Sequence, residues 1–120
     1  MSGGRSVLIV EDNEDAREML ALLLEGHGYA VGTAADGAEG VEKASSGGWD
    51  VAIVDIGLPG LDGYEVARRV RASDGGRGLR LIALSGYGRP EDRSRSAEAG
   101  FDEHLVKPVE PGVLFGLLGE

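Results

Sequence analysis

The segment Val51-Ala52-Ile53-Val54-Asp55-Ile56-Gly57-Leu58-Pro59-Gly60-Leu61-Asp62-Gly63 organises the whole chain. Its first four residues are apolar and mostly β-branched, which predicts a strand buried on both faces, and a lone carboxylate, Asp55, stands where that strand runs out. A charge at a buried strand end implies a paired cation, a metal ion or chemistry, unless the acid merely closes a turn. From this segment alone the turn stays open as a reading, because Gly57, Pro59, Gly60 and Gly63 mark a loop and Asp62 suits a helix N-cap.

On the N-terminal side, Val7-Leu8-Ile9-Val10 is a second all-apolar run, and it too ends in acids, Glu11 and Asp12. Asn13, Glu14 and Asp15 then open an amphipathic helix, predicted to turn Met19, Leu20 and Leu23 inward and to close at Gly26 or Gly28. Leu22 and Leu24 exceed what one face requires, as extra packing or as a docking stripe. Tyr29 to Ala34 reads as a less regular strand. Asp36-Gly37 starts a helix through Ala38, Val41 and Ala44 that Gly40 weakens. The loop Ser45-Ser46-Gly47-Gly48 feeds Trp49 and the opening segment.

On the C-terminal side, the helix after Asp62-Gly63 is predicted to bury Tyr64, Ala67 and Val70 and to turn Arg68, Arg69 and Arg71 to solvent, ending at the glycines 75, 76 and 78. Leu79 to Leu84 is a fourth strand, terminating in Ser85-Gly86-Tyr87-Gly88. Arg89-Pro90-Glu91-Asp92 begins a polar helix that closes at Gly100; its thin apolar stripe implies weak anchoring and mobility. Phe101 to Val106 is a fifth strand ending at Lys107-Pro108, and Pro111 suits the first turn of a short last helix.

Five strands alternating with five helices imply βαβ units and an α/β fold with a parallel sheet. The arrangement expected is flavodoxin-like: a doubly wound five-stranded sheet of order 2-1-3-4-5 with helices on both faces. At 120 residues the chain is about one domain, read as residues 6–120 after a disordered lead-in at 1–5. It is too short for a catalytic domain plus a reader domain, so any output must come from another chain or from further sequence. A net charge of -9 repels phosphate backbones and anionic lipid, which argues against direct binding of nucleic acid or membrane. Without cysteine there is no disulfide, thiolate metal site or cysteine nucleophile. With no apolar leader at Met1 to Arg5, a cytoplasmic domain is expected.

In such sheets function gathers at the carboxyl ends of the strands. There the apolar runs end in Glu11 and Asp12, in Asp55, in Ser85 and in Lys107. Three acids brought together repel one another unless a cation sits among them, and oxygen-only ligands suit Mg²⁺ rather than zinc. A bound Mg²⁺, Lys107 and the Ser85 hydroxyl are three partners for phosphate oxygens, which leaves Asp55 in line to attack and form an acyl phosphate.

From Val7 to Leu118 the chain resembles a receiver domain of the two-component response-regulator family. The resemblance rests on the acid pair Glu11-Asp12, the phosphoacceptor position Asp55 with its Gly57–Gly63 loop, the switch hydroxyl Ser85 followed by Gly86, and Lys107-Pro108. It implies Mg²⁺ held by Asp12, Asp55 and the Gly57 carbonyl, with Glu11 assisting through water, and a cis peptide before Pro108. It also implies phosphotransfer from a histidine kinase or histidine phosphotransfer domain, catalysed by the receiver itself, as is its own dephosphorylation, with no independent substrate. Phosphorylation would draw in Ser85 and Lys107 and re-present the surface of the fourth helix, fifth strand and fifth helix. Gly57 and Tyr87 occupy positions that influence acyl-phosphate lifetime.

In one respect the chain departs from the family. The switch aromatic, three residues before the lysine, is here His104, which either fills the slot with an imidazole and introduces pH sensitivity or lies packed or at the surface without a role in the switch. The segments Ala83–Gly88 and His104–Val109 look more like receivers of hybrid histidine kinases, so the chain is read as a stand-alone regulator or as a piece of such a kinase. The alternatives are a degenerate receiver that binds partners without phosphorylation, and a flavodoxin-like electron carrier. The second is disfavoured because Glu11 and Asp12 would repel a flavin phosphate. An aspartyl-phosphate phosphatase would need a second Asp at position 57, where Gly57 stands.

Overall fold

The computed structural model describes residues 5–86 and 88–119. In chain order they form β1 (Ser6–Val10), α1 (Glu14–Glu25), β2 (Ala30–Ala34), α2 (Gly37–Ser45), β3 (Val51–Asp55), α3 (Gly63–Ala72), β4 (Arg80–Ser85), α4 (Pro90–Ala99), β5 (Glu103–Val106) and α5 (Pro111–Leu117). All strand pairings are parallel and the order is β2-β1-β3-β4-β5, the topology read from the sequence. The residues Met1–Gly4 of the predicted lead-in lie outside the described residues, whereas the Arg5 guanidinium donates to the Leu118 carbonyl.

Strand alternation explains why the central runs are apolar throughout. Leu8, Val10, Ala52, Val54, Leu81 and Ala83 pack into one layer with α2 and α3, while Val7, Ile9, Val51, Ile53, Ile82 and Leu84 pack into the other with α1 and α5. All five residues of β3 are buried. Three helices begin at acid or amide caps: Asn13, Asp36 and Asp62 each accept from a backbone N–H at the third residue beyond.

Three expectations need correction. Met19 does not face the core; it is 72% exposed, because the buried stripe of α1 is centred on Leu20 and Leu24, one turn apart on the same face. Leu24 is therefore packing, while Leu22 is 69% exposed. Arg71 is not a solvated side chain. Its guanidinium donates to the carbonyls of Gly76, Arg77, Leu79 and Gly100 and pairs with Asp102 at 2.7 Å. Loop carbonyls meet there beside the ends of α3 and α4, and a forked cation with five donors satisfies several at once. Gly40 is more than a weak point in α2: a Cβ there would come within 2.8 Å of Val10, so the glycine lets α2 lie close on β1.

At the other end of β3 from Asp55, Trp49 lies across Gly32 of β2, where a Cβ would fall 2.2 Å from the indole ring. Its Nε1 donates to the Lys43 carbonyl at 3.0 Å.

Candidate functional site

β1 and β3 are neighbours and the sheet order reverses between them, so their carboxyl ends bring Glu11, Asp12 and Asp55 to one rim. One oxygen from each of the three carboxylates lies within 4.8 Å of the others. Glu11 and Asp55 are buried, at 2% and 6% exposure, and Asp12 faces solvent. Lys107 arrives from the end of β5: its Nζ is 2.8 Å from Asp55 Oδ2 and 3.5 Å from Glu11 Oε1. The lysine is aimed by the backbone that holds it. Its N–H donates to the Ser85 carbonyl at 2.8 Å, and the Lys107–Pro108 peptide is cis, as the resemblance implied.

Backbone donors orient the acids. Gly57 N–H donates to Asp55 Oδ1 at 2.8 Å, and Asn13 N–H donates to Glu11 Oε2 at 3.1 Å. The turn after β3 folds tightly because residue 63 is glycine: a Cβ there would sit 2.6 Å from the Asp55 carbonyl. Arg17, which the sequence reading did not single out, donates from Nη1 to the Glu11 carbonyl at 3.0 Å. Its position four residues past the Asn13 cap, on the side of α1 above the loop, was the available signal.

The electrostatics are those of an acid pocket with one counter-ion. Burial pushes the Glu11 carboxyl above its ordinary range; the Asn13 N–H opposes this, and the nearby Asp55 carboxylate reinforces it. Burial disfavours the Lys107 ammonium, but hydrogen bonding and charge pairing with Asp55, assisted by Glu11, outweigh it and hold the amine above its usual value. Three acids against one lysine leave negative charge in excess. Three carboxylates with oxygens within 4.8 Å of one another form an oxygen-only donor set that could hold a hard divalent cation after small side-chain adjustments, since oxygens on one octahedral ion lie roughly 3 to 4 Å apart.

Ser85 ends β4 and is 6% exposed. It is beside the strand of Asp55, and its residue pairs in register with Val106, next to Lys107. His104 is not gathered into the acid cluster. It faces α4, with Nδ1 at 3.0 Å from the Ser96 hydroxyl. Tyr87 lies outside the described residues.

A doubly wound α/β domain with an acid cluster and an opposed lysine at its topological switch point is the arrangement that the resemblance implied. The model for the response regulator receiver domain matches residues 7–118, and this chain belongs to that family of two-component regulators. An uncharacterized 14.6 kDa protein of Leptolyngbya boryana is 35% identical over 93% of this chain and 86% of its own length. The transcriptional regulatory protein AfsQ1 of Streptomyces coelicolor is 38% identical over 91% of the chain, but the match spans 47% of that protein. Six further curated relatives are likewise matched over less than half their length.

Among solved structures, the receiver domain of a sensor histidine kinase from Pseudomonas aeruginosa, crystallised with a magnesium ion coordinated in its active-site cleft, superposes with a TM-score of 0.88 at 35% identity, covering 96% of this chain and 94% of that one. The chemotaxis protein CheY4 of Vibrio cholerae gives 0.89 at 33%, covering 95% of each. No helix among the described residues is long and apolar enough to cross a membrane.

Proposed function

We propose that this chain is a phosphoacceptor in a phosphorelay, with Asp55 as the nucleophile. What supports the reading above all is the Asp55 carboxylate at a buried strand end, 2.8 Å from Lys107 and grouped with Glu11 and Asp12. In the step, an Asp55 oxygen attacks the phosphorus of a phosphohistidine. The P–N bond breaks, its electron pair stays on the imidazole, which takes up a proton, and an acyl phosphate forms. The donor is a histidine kinase or a histidine phosphotransfer domain.

Asp12, Asp55 and the Gly57 carbonyl would hold Mg²⁺, with Glu11 assisting. When bound, the ion supplies charge neutralisation for the phosphoryl oxygens. Lys107 binds one phosphoryl oxygen as a point charge and, before transfer, orients the Asp55 carboxylate through its 2.8 Å contact. Ser85 binds another oxygen once the phosphoryl group is in place and couples the site to the loop leading into α4. The flavin reading is disfavoured, since the loop after β1 offers carboxylates where a phosphate would sit.

Incubation with acetyl phosphate and Mg²⁺ followed by mass spectrometry tests the assignment. A hydroxylamine-labile adduct is expected at Asp55 and no adduct in Asp55→Asn. Equal labelling of the two proteins overturns it.

A further inference from the structure

The backbone that carries the acid rim is held from two sides. Past the end of β1, Glu11 N–H still donates to the Ala34 carbonyl, at 3.1 Å. The Glu11 carbonyl belongs to the peptide that leads into Asp12, and among the described residues no backbone N–H donates to it. An acceptor at a buried strand end needs a partner. Arg17 supplies one, donating from Nη1 at 3.0 Å. The first turn of α1 brings it back over the loop: Arg17 N–H donates to the Asn13 carbonyl at 2.9 Å, and the Asn13 side chain caps the helix by accepting from Ala16 N–H. The charge of Arg17 also reaches Glu39 at the start of α2. Ala35 N–H and Lys43 hold that carboxyl below its usual range, and Arg17 adds to them. Glu39 is itself fixed, by Ala35 N–H at 2.8 Å and by Lys43, whose Nζ donates to the Thr33 carbonyl. The guanidinium thus works between the loops after β1 and β2, and its charge has a counter-ion away from the rim.

We infer that Arg17 is a positioning residue for the acid rim: by holding the Glu11–Asp12 peptide at its carbonyl it sets where the Asp12 carboxylate stands, and so how tightly the rim takes a divalent cation. The inference rests on the reading of Glu11, Asp12 and Asp55 as a Mg²⁺ site. Asp12 needs such help more than its neighbours do. Glu11 and Asp55 are buried and each accepts a backbone N–H, whereas Asp12 faces solvent. Its aim therefore depends on the peptide that carries it, and partners behind a ligand are what orient a metal site. The sign of the effect is diagnostic. By charge alone a cation beside three carboxylates opposes a second cation, so simple electrostatics has Mg²⁺ binding tighten when Arg17 is neutralised. Positioning has it weaken.

Titration with MgCl₂ at constant ionic strength, followed by the amide shifts of Asn13 and Gly57, tests this. Arg17→Met keeps an apolar stem and a good helix former and loses the fork. It is expected to bind Mg²⁺ about ten-fold more weakly than the parent, the low end of what losing an orienting partner behind a metal ligand costs. Without the ion, its Asn13 amide is expected to exchange faster while Ile53 in β3 stays as it was. Arg17→Lys, which keeps the charge and a donor, is expected to fall between parent and Met variant. Arg69→Met removes the same charge from the outer face of α3, where Arg69 pairs with Glu65, and is expected to bind like the parent. Unchanged or tighter binding in Arg17→Met, an Asn13 amide no faster than the parent's, a Lys variant as weak as the Met variant, or an equal loss in Arg69→Met overturns the inference and leaves the metal site standing. A parent protein without saturable Mg²⁺ binding overturns the metal site, and the inference with it.

Discussion

Lys107 has a side chain 39% exposed, while its partners Glu11 and Asp55 are 2% and 8% exposed. Removing the cation therefore strands two buried carboxylates. A fully buried pair broken from one side costs about 3–5 kcal/mol, and the partial exposure of the lysine brings the expectation for Lys107→Met down to about 1–2 kcal/mol. Urea unfolding in the absence of divalent ions measures it. Glu11→Gln is expected to act in the opposite direction. Because the folded carboxyl holds its proton more tightly than the unfolded one, folding is favoured by the neutral form below the unfolded value of about 4.3, and that contribution is lost as pH rises through the higher folded value. The Gln variant, neutral throughout, should thus unfold at higher urea than the parent at pH 7, and the gap should close toward about pH 4. For Lys107 the sign is that of a cation: its pairing contributes fully below about pH 10.4 and fades as pH rises through the raised folded value.

At the level of elements, Arg71 ties α3 to the ends of α4 and β5, since Gly100 is the left-handed cap of α4 and Asp102 also accepts from Leu81 N–H at 2.8 Å. Arg71→Ala is expected to cost about 2 kcal/mol, and Arg71→Lys to recover little of it, because an ammonium cannot reproduce the fork. Thermal unfolding of the three proteins decides. This arginine also marks where the sequence stopped being legible. The strand runs, the caps at Asn13, Asp36 and Asp62, and the site residues Glu11, Asp12, Asp55 and Lys107 could be read because each announces itself locally or by its place at a strand end. Arg71, Met19 and Gly40 could not. Their roles depend on which distant backbone comes to lie beside them, and helical periodicity assigns a face without saying what covers it. The same holds for His104, whose partner Ser96 is on a helix with almost no apolar pattern to orient it.

For the molecule as a whole, a net charge of -9 and a rim with three clustered acids make an empty site self-repulsive, so a divalent ion that binds only the folded state should add stability by mass action. At 100 times its dissociation constant the gain is about 2.7 kcal/mol, several degrees in melting temperature for a domain of this size. MgCl₂ is expected to raise the midpoint well beyond NaCl of equal ionic strength, and Asp12→Asn to remove the excess. An equal shift with both salts would mean general screening instead of a site.

Trp49 is the chain's single tryptophan, and it lies before β3, at the opposite end of that strand from Asp55. Five residues of extended chain put it about 17–20 Å from the acid rim, packed on Gly32 and bonded to α2. Its emission will therefore follow global unfolding faithfully and stay silent when a cation or a phosphoryl group arrives, so occupancy has to be followed by a probe placed elsewhere, for example a fluorophore attached at exposed Met19 after Met19→Cys, on the α1 side of the groove that also borders Lys107.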